Sequence, residues 1–301
     1  MTGETTSSDD REAPPVLMIA GPTASGKTAR AIEHALRVGG EVVSADSRQV
    51  FAGMSVCTAA PTAEEMRGVP HHFVGERDVA EAAYSAGAFA RDAEARIDEI
   101  HARGAVPIVA GGTGFYLSAL LRGLSPIPDV PDDVRDSVGA ELRGSGLPDL
   151  VAELRRVDPD LAATLDLANP ARVVRGVEVF RATGTPLSVW QRAPRVRPRH
   201  RYAPEVIDVD RAALRARIDA RVAHMSDAGL YDEITGLLAR GLSPALTPLR
   251  TIGCVEVIDH ITRGGTGSGP EWPSVLADIA THTHQYARRQ RTMLPKIFSL
   301  Q

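Results

Sequence analysis

The sequence predicts an α/β fold in which a parallel sheet is flanked by helices and interrupted by a mostly helical insertion. Short apolar runs alternate with helix-compatible segments, and the runs at 16–20, 41–44 and 106–110 each end in small or polar residues. A proline-rich connector at 125–131 and a proline- and arginine-rich stretch at 192–201 bracket residues of different character. We therefore expect a core at 14–128 and 201–301, an insertion domain at 129–200 and a disordered tail at 1–13.

The first apolar run leads into a glycine-rich turn of the pattern GxxxxGK[ST]. Its residues are Gly21, Pro22, Thr23, Ala24, Ser25, Gly26, Lys27 and Thr28. Between a strand and a helix, such a turn places backbone N–H groups around an anion, while Lys27 reaches outer phosphate oxygens and Thr28 can hold Mg²⁺. The pattern predicts a P-loop NTPase-like sheet whose first turn binds a polyphosphate or pyrophosphate.

Lysine is rare in this chain. Of 34 basic residues, only Lys27 and Lys296 are lysines, and the others are arginines. A compact ammonium can enter a narrow anion cradle in which a forked guanidinium cannot take the same position. A lysine at position 27 thus indicates a chemical requirement, and Lys27→Arg should lose most activity while leaving the fold intact.

Polar residues also follow the second and third apolar runs. Because ligands of parallel sheets gather beyond the strand C-termini, Asp46 and the 111–114 glycine segment should share an edge with the phosphate loop. Asp46 could accept a proton from a nucleophile, help to position Mg²⁺, or cap a helix. The third run ends in glycine without the acidic residue of a typical nucleotide hydrolase, which disfavours ATP hydrolysis as the main activity.

Composition limits the class of protein. Two cysteines give neither a disulfide framework nor zinc-ligand spacing, and no apolar run approaches membrane-spanning length. A net charge of −4 and a pI of about 6.2 argue against a generally basic nucleic-acid binder, but not against local arginine patches. We expect a cytoplasmic protein without a membrane partner, and a monomer.

Arginines cluster in three regions. The arginines of the insertion could form a lid that binds a polyanion, or they could simply belong to a solvated helical surface. These residues are Arg135, Arg155, Arg156, Arg172, Arg175 and Arg181. Arg217 and Arg221 share one face of a predicted helix and suit phosphate binding, whereas Leu214, Ile218, Val222 and Met225 should pack. Near the C-terminus, His284, Arg288 and Arg291 fall at helical spacing, as an RNA-backbone patch or as scattered surface residues.

An ordered set of motifs resembles tRNA dimethylallyltransferase over roughly positions 15 to 295. The segments that carry the resemblance are 21–28, 45–51, 58–62, 71–73, 111–116, 169–175, 181–184, 251–253 with 256–257, and 285–290. The sequence departs from the family pattern at Ala60, Gly75, Cys254 with Val255, and 293–295. We interpret these departures as altered RNA-contact or packing detail, because the phosphate loop and Asp46 are untouched.

The resemblance implies transfer of a dimethylallyl group from its diphosphate to the exocyclic amine of the adenosine next to the tRNA anticodon. Lys27, Thr28-bound Mg²⁺ and Arg217 would stabilise the departing pyrophosphate, and Asp46 would accept the proton of the amine. The tRNA anticodon stem-loop would be contacted by Asp46, Ser47, Arg48, Gln49, Thr113, Arg135, Arg172, Arg175 and Arg288.

Three other functions stay open from the residues. A small-molecule P-loop kinase would require ATP, and an adenylate prenyltransferase would share the donor but accept a free nucleotide. A noncatalytic RNA-binding module would be indifferent to Lys27→Ala.

Overall fold

The computed structural model describes residues 14–81 and 84–299, so the tail expected at 1–13 lies outside the described residues. The chain forms two compact units, one reaching position 121 and resuming at 198, the other spanning Arg122–Arg197. The second unit, called the helical unit below, starts and ends before the 129–200 expected from the proline-rich stretches. Its two connecting segments pair with each other through an isolated antiparallel bridge between Leu124 and Val196, so both belong to it.

A five-stranded parallel sheet forms the centre of the first unit, in the order β3-β2-β4-β1-β5. Its strands are β1 Val16–Ala20, β2 Gly40–Ala45, β3 His71–His72, β4 Val106–Gly111 and β5 Tyr202–Val206. The predicted fold class is confirmed, and the three predicted runs are β1, β2 and β4. The sequence did not indicate β3, which has two residues, or the edge strand β5, which contains Pro204.

Helices cover the sheet and extend the first unit. They are α1 Lys27–Val38, α2 Ser55–Thr58, α3 Ala63–Met66, α4 Ala86–Ala102, α5 Gly114–Arg122, α11 Arg211–Asp227, α12 Leu230–Ala239, α13 Cys254–Thr262 and α14 Trp272–Phe298. Ile19, Ile32 and Ile108 are buried together in the layer between α1 and the sheet. Among the described helices, none combines the length and the hydropathy needed to cross a membrane.

The helical unit packs five helices around its own apolar core. They are α6 Asp132–Gly144, α7 Leu147–Val157, α8 Pro159–Thr164, α9 Pro170–Thr183 and α10 Leu187–Arg192. Leu150, Leu154 and Val177 are buried in that core. The sequence left Arg181 as part of a polyanion-reading lid or of a solvated helical surface. It instead pairs with Glu141 at 2.6 Å and with Glu153, and so joins three helices of the unit.

The loops that follow β1, β2 and β4 meet at one edge of the sheet because these strands are neighbours. The backbones approach closely there: a Cβ on Gly111 would lie 2.2 Å from the carbonyl oxygen of Ala45. Only glycine allows β2 and β4 to end side by side at this point.

Candidate active site

The phosphate loop, residues 21–28, wraps around the N-terminus of α1. Gly26 has φ +89°, a left-handed conformation that favours glycine, and the helix starts at Lys27. The Ser25 hydroxyl is buried and has no hydrogen-bond partner among the described residues. An unpaired buried hydroxyl in a loop of this shape suits an anionic ligand that accepts its hydrogen bond.

The ammonium of Lys27 lies among charged groups. Burial lowers the pKa of Lys27 to about 8, and the Arg221 guanidinium acts in the same direction, whereas the Asp46 carboxylate opposes the shift. A bound diphosphate would raise the pKa of this lysine again, because an adjacent anion favours the protonated form.

Two cavities adjoin at Lys27. The phosphate-loop cavity, about 560 Å³, is lined by Gly26, Lys27 and Thr28, with Arg217 and Arg221. The Asp46 cavity, about 360 Å³, is lined by Asp46, Ser47, Arg48 and residues of α14. Lys27, Arg221 and Met225 line both cavities, so ligands bound in the two cavities would share these side chains as neighbours.

Helix α11 supplies the two arginines that line the phosphate-loop cavity, Arg217 and Arg221. The predicted face is confirmed, since Leu214, Ile218, Val222 and Met225 are buried. Arg217 donates a hydrogen bond from Nη1 to the carbonyl oxygen of Ser25 at 3.2 Å, and Arg221 donates from Nη2 to that of Thr58 at 2.8 Å. Both guanidiniums are thus fixed beside the phosphate loop with further N–H groups available to an anion.

Asp46 holds a turn and also lines a cavity. Its Oδ1 accepts hydrogen bonds from the backbone N–H groups of Arg48 at 2.9 Å and Gln49 at 3.3 Å, so it caps a turn and not a helix. It also lines the Asp46 cavity, close enough to Lys27 and Arg221 to attract both cations. The helix-capping alternative is therefore wrong, and the carboxylate that holds this turn also faces the Asp46 cavity.

The residues after Asp46 are held by neighbouring backbone. The Ser47 N–H donates to Thr113 Oγ1 at 3.0 Å, which links the loop after β2 to the loop after β4. Arg48 donates from Nη1 to the carbonyl oxygen of Thr247 at 2.6 Å. The Gln49 amide donates to the carbonyl oxygens of Thr58 and Ala59, so it positions the segment that also receives Arg221.

Sequence reasoning missed several residues of the Asp46 cavity. Gln290 on α14 is buried, accepts a hydrogen bond from the Thr23 N–H at 2.8 Å and donates to the carbonyl oxygen of Gly112 at 2.9 Å. Tyr286, Arg289 and Arg250 also line this cavity. The segment 285–290 was noted only as part of a resemblance, because periodicity does not reveal which polar residue of a helix turns inward.

The other predicted RNA residues divide between the two units. On α14, Arg288 lines neither cavity, while His284 contacts Asp219 at 2.7 Å and Arg291 contacts Asp208 at 3.4 Å. In the helical unit, Arg135 and Arg175 lie close enough for mutual repulsion. Burial lowers the pKa of Arg175, Glu178 opposes the shift, and Arg135 adds to it.

Oxygen ligands suitable for Mg²⁺ lie beside the phosphate loop. Thr28, Ser44 and Asp46 line one small cavity beside the ends of β2 and β4. Hydroxyl and carboxylate oxygens are ligands that Mg²⁺ accepts, and substrate phosphates commonly complete its coordination. Within the described residues there is no group of three acidic, histidine or cysteine side chains that could hold a metal.

The departures from the family pattern lie in different surroundings. Ala60 lines the phosphate-loop cavity, and Gly75 has φ +65°. Cys254 is buried beside Cys57, both are free thiols, and their mutual hydrogen bond together with burial raises the pKa of Cys57. Pro295 lies inside the last turns of α14.

Comparison with known proteins identifies relatives over nearly the whole chain. The sequence model of the IPP transferase family matches residues 49–296. The tRNA dimethylallyltransferase of Parvibaculum lavamentivorans is 43% identical over 92% of this chain and 87% of its own length, and that of Salinibacter ruber is 41% identical over 92% and 84%.

Solved structures agree with these sequence relatives. The full-length tRNA isopentenylpyrophosphate transferase of Bacillus halodurans aligns with a TM-score of 0.64 and 33% identity, covering 93% of this chain and 86% of its own. A eukaryotic dimethylallyltransferase acting on tRNA aligns with a TM-score of 0.76 and 27% identity, covering 91% and 68%.

Proposed function

The chain belongs to the IPP transferase family, and from that membership we propose that it transfers a dimethylallyl group from dimethylallyl diphosphate to a tRNA adenosine. The acceptor is the exocyclic N6 amine of the adenosine on the 3′ side of the anticodon, and pyrophosphate is released. The observation that carries this proposal is the pair of cavities that adjoin at Lys27 and Arg221, one at the phosphate loop and one at Asp46.

In the reaction the C1–O bond of the allylic diphosphate breaks and a bond from N6 to C1 forms. Negative charge grows on the leaving pyrophosphate, beside the backbone N–H groups of the loop, Lys27 and the two arginines of α11. Mg²⁺ held by Thr28 and the diphosphate would neutralise part of that charge. Leaving-group stabilisation is accordingly the main contribution of the phosphate-loop cavity.

The adenine amine is a weak nucleophile because its lone pair is delocalised into the ring. Asp46, in the cavity that adjoins at Lys27, orients the amine and accepts the proton that N6 loses. The base must leave the anticodon loop to reach this carboxylate, at an unstacking cost of a few kcal/mol. Single-stranded loops keep that cost low.

Arginines of the helical unit grip the anticodon stem-loop in this proposal. Arg135, Arg172 and Arg175 are the residues concerned, and arginine binds phosphate oxygens in a bidentate manner. Residues of a single chain line both cavities, so in this proposal a monomer is sufficient for the reaction. With tRNA as the substrate and two free buried thiols, we place the protein in the cytoplasm.

The test incubates the purified protein with Mg²⁺, dimethylallyl diphosphate, unmodified tRNA and AMP, and then analyses the digested RNA and the free nucleotide by mass spectrometry. We expect prenylated adenosine from the tRNA. Prenylated AMP alone would select an adenylate prenyltransferase, and no transfer to either acceptor would contradict prenyl transfer. Asp46→Asn is the matched inactive control because it keeps the size of the side chain.

A further inference from the structure

Phe115 is the most exposed large hydrophobic side chain among the described residues. It is 80% exposed, although it lies in α5, a helix that buries Gly114, Tyr116, Leu117 and Leu120. Its exposure therefore does not come from a poorly packed segment. The helix holds one phenyl ring outward in water, so this ring contributes little hydrophobic free energy to folding.

The segment that precedes Phe115 is fixed to the wall of the Asp46 cavity. Gln290 donates to the carbonyl oxygen of Gly112 at 2.9 Å, and the Ser47 N–H donates to Thr113 Oγ1 at 3.0 Å. Gln290 and Ser47 both line that cavity. Two residues span at most about 7 Å of chain, so the Cα of Phe115 lies within that distance of the Cα of Thr113.

An exposed aromatic ring that closely follows the segment bonded to the wall of a cavity for an extruded base has a specific use. When one nucleotide leaves a loop, its neighbour loses a stacking partner, and aromatic side chains replace such partners without reading sequence. A phenyl ring has no hydrogen-bonding group, so stacking is the interaction that it can offer to a base. Tyr286, in contrast, lines the cavity itself and has Arg289 over its ring at 5.9 Å.

We propose that Phe115 is a stacking platform for the anticodon-loop base that flanks the modified adenosine. The inference rests on the proposed function, because it requires that the adenosine be extruded into the Asp46 cavity. Phe115 then acts as a positioning residue: it stabilises the opened loop and takes no part in donor binding or proton transfer.

The first test measures steady-state kinetics of three variants. Phe115→Leu keeps an apolar side chain without a π-face, Phe115→Tyr keeps the ring, and Leu36→Ala alters another exposed hydrophobic, 46% exposed, about 13 Å along α1 from Lys27. We expect Phe115→Leu to raise KM for tRNA about tenfold. Pyrophosphate affinity and thermal unfolding should stay at wild-type values, and Phe115→Tyr and Leu36→Ala should stay within about twofold in all measurements.

Two results would overturn the proposal. One is an unchanged KM for tRNA in Phe115→Leu, and the other is an equal loss in Phe115→Leu and Phe115→Tyr, which would indicate shape and not stacking. A wild-type protein that fails to prenylate tRNA would instead contradict the proposed function, so the two failures are distinguishable.

A second readout needs no turnover. Anticodon stem-loops carry 2-aminopurine immediately 5′ or 3′ of the target adenosine, and its fluorescence is followed on titration with wild-type protein and with Phe115→Leu. We expect the fluorescence at one of these positions to be quenched by the wild type and not by Phe115→Leu at equal saturation. Equal signals from both proteins at both positions would contradict stacking by Phe115.

Discussion

The most specific prediction for a single residue concerns Lys27, because its lowered pKa limits the pH range over which the side chain is protonated. Its pKa is about 8 in the ligand-free chain, against 10.5 for an ordinary lysine. As the pH rises through about 8 the free protein loses this charge, so pyrophosphate affinity should fall between pH 8 and 10. Isothermal titration calorimetry measures this fall, and Lys27→Met should bind weakly with a flatter pH dependence. A wild-type affinity that is constant up to pH 10 would contradict the assignment.

Substitution of Lys27 by arginine tests whether the cradle needs an ammonium. We expect Lys27→Arg to lose most transferase activity, because the forked guanidinium cannot occupy the position of the ammonium at the phosphate loop. The thermal unfolding midpoint should be unchanged. An active, folded Lys27→Arg protein would show that charge alone is sufficient.

Two substitutions of Asp46 distinguish its structural role from its proposed chemical role. Asp46→Asn retains an Oδ1 acceptor for the N–H groups of Arg48 and Gln49, whereas Asp46→Ala removes it. For the proton acceptor that we propose, Asp46→Asn should lower kcat by roughly 10²–10⁴-fold with pyrophosphate affinity retained. If Asp46→Asn instead weakens Mg²⁺-dependent pyrophosphate binding, the carboxylate positions the metal.

At the scale of elements, Gln290 joins α14 to the loops after β1 and β4. Gln290→Leu would leave the Thr23 N–H and the Gly112 carbonyl without their partner, at about 1–3 kcal/mol for each buried group. We expect a lower free energy of unfolding in urea and weaker pyrophosphate binding. Gln285→Leu, at an exposed position of the same helix, is the matched control. Similar values for Gln290→Leu and wild type would show that the link is not needed.

A second link between elements predicts how stability depends on pH. Glu41 on β2 accepts hydrogen bonds from Arg103 and His72, and these contacts, chiefly that of Arg103, lower the pKa of Glu41 to about 2. A carboxylate with a depressed pKa stabilises the fold above about pH 4.5 and loses that contribution as the pH falls towards 2.

Urea unfolding of wild type and Glu41→Gln at pH 3 and pH 7 measures the effect. The difference in free energy of unfolding between the two proteins should shrink at the lower pH. Glu205→Gln, which removes the partner of Arg30 in a more exposed pair, should show little difference at either pH. A Glu41→Gln difference that does not vary with pH would contradict the ion-pair explanation.

At the scale of the whole molecule, the acidic net charge makes tRNA binding depend on local arginines. If Arg172 and Arg175 contact phosphates, tRNA affinity should fall steeply as salt rises. The double substitution to glutamine should reduce the slope of log affinity against log salt by about one unit for each phosphate that is no longer neutralised. Filter binding at several salt concentrations measures the slope, with Arg30→Gln as the control variant. A slope equal to that of wild type would remove these two arginines from the interface.

The fold class, the phosphate loop and the family could be predicted from the sequence alone. The pattern at 21–28 is local, since strand, turn and helix follow one another in the chain, and the ordered motifs from 45 to 290 indicated the family that the comparisons confirm. The buried face of α11 was likewise visible, because helical periodicity is a local property.

Only the tertiary structure decided which distant residues complete the two cavities. Gln290 accepts a hydrogen bond from Thr23, which lies 267 positions earlier in the chain, and Arg217 donates one to Ser25. Arg181 forms ion pairs with two glutamates of the helical unit. Such pairings depend on how helices pack, and periodicity gives the face of a helix but not its neighbour. Phe115 shows the same limit: a phenylalanine in an apolar helix is expected in the core, and only the packed structure places it in solvent.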